Sequence, residues 1–252
     1  MPMQRERDIV AAFVSLSGDL ADGLDVVDLL TELTTDCARL LDITSAGLLL
    51  ADGKGVLHLL AASSEETRVL ELFQVQSAEG PCVDCFTSGA AVSVANLANE
   101  TERWPRFVPK ALAAGFASVH AVPMRLRNSV LGALNLFGAT VGPLSADDLD
   151  LAQALAHVAG VALVQDKAAA DKDLIVSQLT TALTSRIVIE QAKGVLAQTG
   201  ALDMEQAFAA LRRYARDHNL RLSGVAAAVV SRQLPSLNVL DHASRKAKAS
   251  TE

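Results

Sequence analysis

Apolar residues recur along this chain with two periods, and the switches between them divide it into elements. Leu29, Leu30 and Leu33, then Cys37, Leu40 and Leu41, fall at helical spacing and predict a helix over residues 5–42. Two short apolar runs follow, SAGLLLAD (45–52) and VLHLLAAS (56–63). The glycine-containing link Gly53-Lys54-Gly55 between them reads as the turn of a β-hairpin. Glu65 to Gln76 reads as helix, broken by Gly80-Pro81, and AAVSVANL (90–97) as a strand. A loop holding Trp104-Pro105-Arg106-Phe107 leads into a short helix ending near Gly115. ASVHAVPMRLRNSVLGALNLFG (117–138) is a second hairpin, turning at Arg127-Asn128-Ser129. Ser145, three positions before Asp148, caps another helix, which the pattern carries past Gly160 to about Gln198 with a loosened stretch at 168–173. This order predicts an α+β domain, an antiparallel sheet with helices on one face or at its ends.

Beyond residue 185 only the helical period remains. In SRIVIEQAKGVLAQTGA (185–201), Ile187, Ala192, Val195 and Leu196 share an apolar face, which leaves Arg186, Glu190 and Lys193 outside it. Gly200 suits the end of that helix, and Asp203 with Gln206 forms a capping box opening the next. There Ala207, Phe208, Leu211 and Ala215 fall on one side, with Arg212, Arg213 and Arg216 displaced from it. Asn219 is a left-handed stop, and Ser223 caps a third helix that turns Val225, Ala226, Val229 and Val230 inward. Upstream, Val176, Leu179, Leu183 and Ile187 are spaced 3, 4 and 4, the seam of a short parallel coiled-coil dimer or ordinary packing within one subunit. The end from Ser236 reads as a disordered tail.

A chain of 252 residues, 50% hydrophobic, can bury one large domain or two small ones. No apolar run approaches the length of a membrane span, and MPMQRERDIV lacks the layout of a signal peptide. Three cysteines suggest no disulfide framework, so a cytoplasmic protein is expected. The net charge of −7 hides a division. Residues 1–176 carry 12 Lys/Arg against 23 Asp/Glu, a balance of −11, while 177–252 carry 10 against 6, a balance of +4. The acidic total argues against nucleic acid, and the basic C-terminal part restores it as a partner.

Residues 8–166 resemble a GAF domain, through the EGPCVD turn (79–84), the RWPRF segment (103–107) and the VPMRL…VLGALNLFG hairpin (122–138). Residues 178–235 resemble an ANTAR domain, through SRIVIEQAKGVL (185–196), EQAFAALRRYA (205–215) and NLRLSGVAAAVV (219–230). The resemblance implies a GAF sensory domain over 1–166, a helical linker over 167–183 and a three-helix RNA-binding ANTAR domain over 184–235. It implies a homodimer acting on paired stem-loops in nascent leader transcripts to prevent termination, with a contact to the transcription machinery and no membrane. The positions matching the ANTAR pattern nominate Arg186, Lys193, Arg212, Arg213, Tyr214, Arg216, Asn219 and Arg221 for RNA contact, by phosphate pairing and base stacking. No cofactor is expected, and a small-molecule ligand of unknown identity fits the sensory role.

The remaining chemistry is sparse. Cys82 and Cys85 form a CxxC that would serve a redox site, half a zinc site or simple packing. The Asp147, Asp148 and Asp150 group needs no metal to explain it at a helix N-terminus. With no GxSxG, Walker loop or HExxH, no enzyme is expected. The competing readings are a signalling module whose C-terminal helices bind a protein partner, and a thiol-based redox sensor.

Overall fold

The computed structural model describes residues 2–21, 25–126, 129–163 and 172–249. The chain divides into two compact units, Met1–Thr180 and Thr181–Glu252. Among the described residues no helix is long and apolar enough to cross a membrane.

The first unit opens with two helices where the periodicity predicted one, α1 (Pro2–Ala21) and α2 (Val26–Leu40). Asp25 is the reason for the fresh start: its carboxylate accepts from the Val27 N–H at 3.0 Å and caps α2. The first hairpin forms as expected from β1 (Ser45–Ala51) and β2 (Leu57–Ala62), followed by α3 (Glu65–Ser77). Helix α3 already ends at Ser77, with Ala78 left-handed (φ 51°) after it, and Gly80-Pro81 instead begins another, α4 (Pro81–Ser88), with proline at its first position. Then come β3 (Val92–Val94), a 3-10 turn (Leu97–Glu100), α5 (Phe107–Ala113), the hairpin β4 (Ser118–Leu126) and β5 (Ser129–Gly138), and α6 (Ala146–Ala162). Ser145 caps α6, accepting from the Asp148 N–H at 3.1 Å. The turn pair at 127–128 and the loosened stretch at 168–171 lie outside the described residues.

The five strands pair antiparallel in the order β2-β1-β5-β4-β3. All seven residues of β1 are buried, which requires cover on both sheet faces. Leu49, Ala51, Ala121 and Ala133 pack with Cys82 and Cys85 of α4 on one face. On the other, α6 comes close enough that a Cβ on Gly160 would meet Met124 at 3.4 Å. Phe107, Phe116, Phe137 and Trp104 extend the α3–α5 side of the core, with Phe116 and Phe137 ring centroids 5.0 Å apart.

The second unit consists of the C-terminal part of α7 (Lys172–Gly200), with α8 (Met204–Asp217), α9 (Leu222–Val230) and α10 (Ser236–Ala249). The capping box forms in full: Asp203 Oδ1 accepts from the Gln206 N–H at 2.7 Å, and Gln206 Oε1 accepts from the Asp203 N–H at 3.2 Å. Helix α7 ends at Gly200 as expected, with the left-handed residue following at Ala201 (φ 49°), and Gly200 is bare because Leu240 would lie 3.0 Å from a Cβ there. Two local expectations are corrected. The α9 cap position is Arg221, with Ser223 already inside the helix; its residues Val225, Ala226 and Val229 are buried. The expected disordered tail is a helix, because Val239 finds a fully buried seat and α10 docks on α8.

Gly47 on β1 tests how tightly the first unit is built. A Cβ there would sit 2.3 Å from Glu71 Oε1, and Glu71 is itself fully buried and hydrogen-bonded. Gly47→Ala is expected to destabilise this unit by about 1–3 kcal/mol. Urea unfolding followed by emission of Trp104, the single and buried tryptophan, measures it.

Candidate functional site

The expected apolar face of α7 is rotated in the structure. Ile187 is 60% exposed, whereas Arg186 and Lys193 are only 8% and 7% exposed. The buried stripe is Ala182, Arg186, Ile189, Lys193 and Leu196, spaced 4, 3, 4 and 3, with Ala192 beside it. Two cations can occupy it because Glu190 lies between them. Arg186 Nη2 is 2.6 Å from Glu190 Oε1, and Lys193 Nζ donates to both carboxylate oxygens at 3.0 and 3.1 Å. Lys193 also lies 5.5 Å from the centre of the Phe208 ring on α8. Arg186 and Lys193, nominated for RNA contact, are placed by the structure in buried ion pairs with Glu190.

The remaining nominated residues are reached by solvent. Arg213, Arg216, Asn219 and Arg221 are exposed, and Arg212 and Tyr214 are half-buried. Asn219 takes φ 53°, the left-handed turn expected of it, and sends the chain from α8 into α9. Tyr214 stacks on His218, centroids 4.1 Å apart and planes 18° apart, with His242 of α10 edge-on at 5.4 Å. Of the four seam positions, Leu179 is buried, Leu183 partly covered and Ile187 exposed; the Val176 side chain lies outside the described ones.

In the first unit, the two motif segments meet. Asp84 of α4 accepts from Arg103 Nη2 at 2.8 Å and from Trp104 Nε1 at 3.3 Å, while Arg103 lies over the Trp104 ring at 4.3 Å. Glu79 Oε1 accepts from the N–H groups of Arg106 and Phe107 at 2.6 and 2.9 Å, satisfying the start of α5. Both motifs therefore shape the fold. Behind them lies a cluster that the sequence reading missed: Glu71 and Gln74 of α3 with Asn135 of β5, all fully buried. Asn135 Nδ2 donates to Glu71 Oε1 at 2.7 Å, Gln74 Nε2 to Glu71 Oε2 at 2.9 Å, and the Cys82 N–H to Gln74 Oε1 at 3.1 Å. The available signal was a polar residue at an inward position of each element, Glu71 in the VLELF stretch and Asn135 in ALNLF.

Burial pushes the Glu71 carboxyl up to about 8, against the opposing hydrogen bonds from Asn135 and Gln74. It therefore holds a proton at neutral pH, and its O–H needs an acceptor. Asn135 Oδ1 is buried without a partner on the same amide that donates to Glu71. Cys82 and Cys85 are buried free thiols, Cys85 pushed by desolvation up to about 12 and Cys82 well above its ordinary value. Thiols so poor in thiolate are suited to packing. His120 Nδ1 pairs with Ser93 and His58 with Asp52, and no metal-binding group of three ligands occurs among the described residues.

A family model for the GAF domain matches residues 23–164, more than half of the chain, and one for the ANTAR domain matches 177–230. The chain belongs to the GAF domain family and carries an ANTAR domain. No curated protein matches it. Among solved structures, it is similar to the phycoerythrobilin-bound GAF domain of a cyanobacterial phytochrome, at 16% identity and TM-score 0.50, covering 62% of this chain and 94% of that one. It is also similar to the GAF domain of a phosphoenolpyruvate-protein phosphotransferase from Coxiella burnetii, at 11% identity and TM-score 0.50, covering 62% and 93%. These likenesses establish the GAF fold of the first unit. A sensory GAF domain joined to an ANTAR domain, an RNA-binding antitermination module, makes the chain a regulator.

The buried carboxyl gives this GAF domain a pH signature. Glu71 titrates near 8 when folded, against an ordinary value of 4.5. Between those values the native state binds the extra proton, so stability falls as pH rises and levels off above about 8. The span is on the order of a few kcal/mol. In Glu71→Gln that part of the slope is expected to vanish, measured by urea unfolding at pH 5 to 9 with Trp104 emission.

Proposed function

We propose that this chain is a signal-responsive RNA-binding regulator. As a homodimer it grips paired stem-loops in nascent leader transcripts and prevents terminator formation under control of its GAF domain. The observation that carries this reading is the sorting of cations in the ANTAR domain. Arg186 and Lys193 are buried, while Arg213, Arg216 and Arg221 lie at the solvent-exposed surface along the end of α8 and the turn into α9, Arg213 with a hydrogen bond to the Ala243 carbonyl. Arginines so placed pair with phosphates, and their flat guanidinium groups stack on unpaired loop bases. Arg212, Tyr214 and Asn219 complete the contact set we assign.

Dimerisation along α7 matches a target of two stem-loops, one per subunit. Among the described seam side chains Ile187 is the exposed one, and burying it against a second copy would remove a β-branched side chain from water. Helix α7 runs from Lys172 to Gly200, and the seam positions lie along it. The GAF signal then acts as a shift between dimer geometries.

The salt dependence of binding tests this. Arg216→Ala with Arg221→Ala is expected to weaken binding to a two-stem-loop RNA at least tenfold. It should also flatten the plot of log affinity against log salt by roughly 0.7 per lost phosphate contact. Arg186→Ala is expected instead to lower the unfolding temperature of the ANTAR domain, because it leaves the Arg186 face of Glu190 without its partner. Equal affinity of the double variant, or equal binding of a duplex DNA of the same length, would overturn the reading.

A further inference from the structure

The family match ends at residue 230, yet the chain continues into α10, which packs back on the ANTAR domain. Its placement is specific. Val239 is fully buried, and Leu240 sits against bare Gly200. His242 Nε2 pairs with Asp217 Oδ2 at the end of α8, at 2.7 Å, and its ring meets Tyr214 edge-on at 5.4 Å. Arg213 Nη1 donates to the Ala243 carbonyl at 3.3 Å. Two of the residues assigned to RNA, Arg213 and Tyr214, are thus already engaged by this helix.

We propose that α10 is a releasable cap on the RNA-binding face of α8, occupying the positions of Arg213 and Tyr214 until RNA displaces it. This rests on the RNA-binding reading above. The anchoring is light enough for release. Val239 is the one fully buried apolar side chain of the helix among those described, Leu237 is 60% exposed, and the His242–Asp217 pair is partly open to water. Fourteen residues of such composition hold a helix poorly without a surface to dock on, so undocking and unwinding accompany each other. Docked α10 lowers the fraction of molecules ready for RNA, and apparent affinity falls by that fraction.

The cap and the RNA reading fail separately in one experiment on the full chain. Dissociation constants for a two-stem-loop RNA are compared for the parent, for Val239→Ser with His242→Ala, and for Leu240→Ser, which loosens a different contact. Circular dichroism confirms that the variants remain folded. The cap predicts binding tighter by about tenfold in the loosened chains, the gain expected if the ready fraction of the parent is about one in ten. It also predicts that RNA speeds amide hydrogen exchange across Ser236–Ala249 of the parent. Equal affinity with unchanged exchange overturns the cap and leaves RNA binding intact. Weaker binding with slower exchange overturns it by making α10 part of the RNA contact. Absence of RNA binding in parent and variants alike overturns the RNA-binding reading, and the cap with it.

Discussion

The ANTAR domain depends on a carboxylate placed between two buried cations. Removing an ammonium or guanidinium from water costs several kcal/mol unless a counter-charge and hydrogen bonds replace the solvent, so a helix face bearing both Arg186 and Lys193 would not pack alone. Glu190 is one turn from the first and three residues from the second, within reach of both on the helix surface. With that pair of contacts made, the stems of the two long side chains become packing material and the stripe from Ala182 to Leu196 can face its neighbours. The rotation of α7 follows, and with it the outward position of Ile187. The partners of α7 then leave the polar side of α8 to arginines that have no place in the core.

The GAF domain contains a second polar group under cover, handled by the opposite device. No cation is among the partners holding Glu71; two amides do so, and its proton stays on. Gly47 exists in the same arrangement because the carboxyl fills the space that a side chain would need. Asn135 is the hinge of this network, since its two amide atoms are a donor in use and an acceptor without a partner. A neutral acid and an idle carbonyl beside each other form a site with two hydrogen-bonding arrangements of one heavy-atom frame. Apolar cores lack that freedom.

Much of this was legible in the amino-acid order. Paired apolar runs located both hairpins, the first also by its glycine-bearing link, and Ser145 and Asp203 marked helix starts that the backbone uses. The failures share a cause. Periodicity assigns faces by residue type, so it placed Arg186 and Lys193 outside and Ile187 inside; the decisive Glu190 contact depends on side-chain reach, which a hydrophobicity pattern does not contain. Glu71 and Asn135 escaped for the same reason, as 64 residues separate partners that only the sheet brings together. Helix α10 was read as a tail because Ser236–Ala249 is polar overall, while a single apolar residue, Val239, is what seats it.

This division of labour among cations changes what the charge of the C-terminal region means. The balance of +4 over residues 177–252 counts Arg186 and Lys193 equally with the rest, yet both are buried against Glu190, and the three together carry a net charge of +1. Removing all three from the count lowers the balance by one and concentrates what is left. Arg212, Arg213 and Arg216 lie within five residues of one helix, and Arg221 follows the turn at Asn219. Counterion release depends on how many phosphates a surface can neutralise at once, so a tight group on one helix end binds better than the same charges spread around a domain. An arginine group of this density attracts any polyanion, so discrimination among polyanions has to come from contacts other than charge.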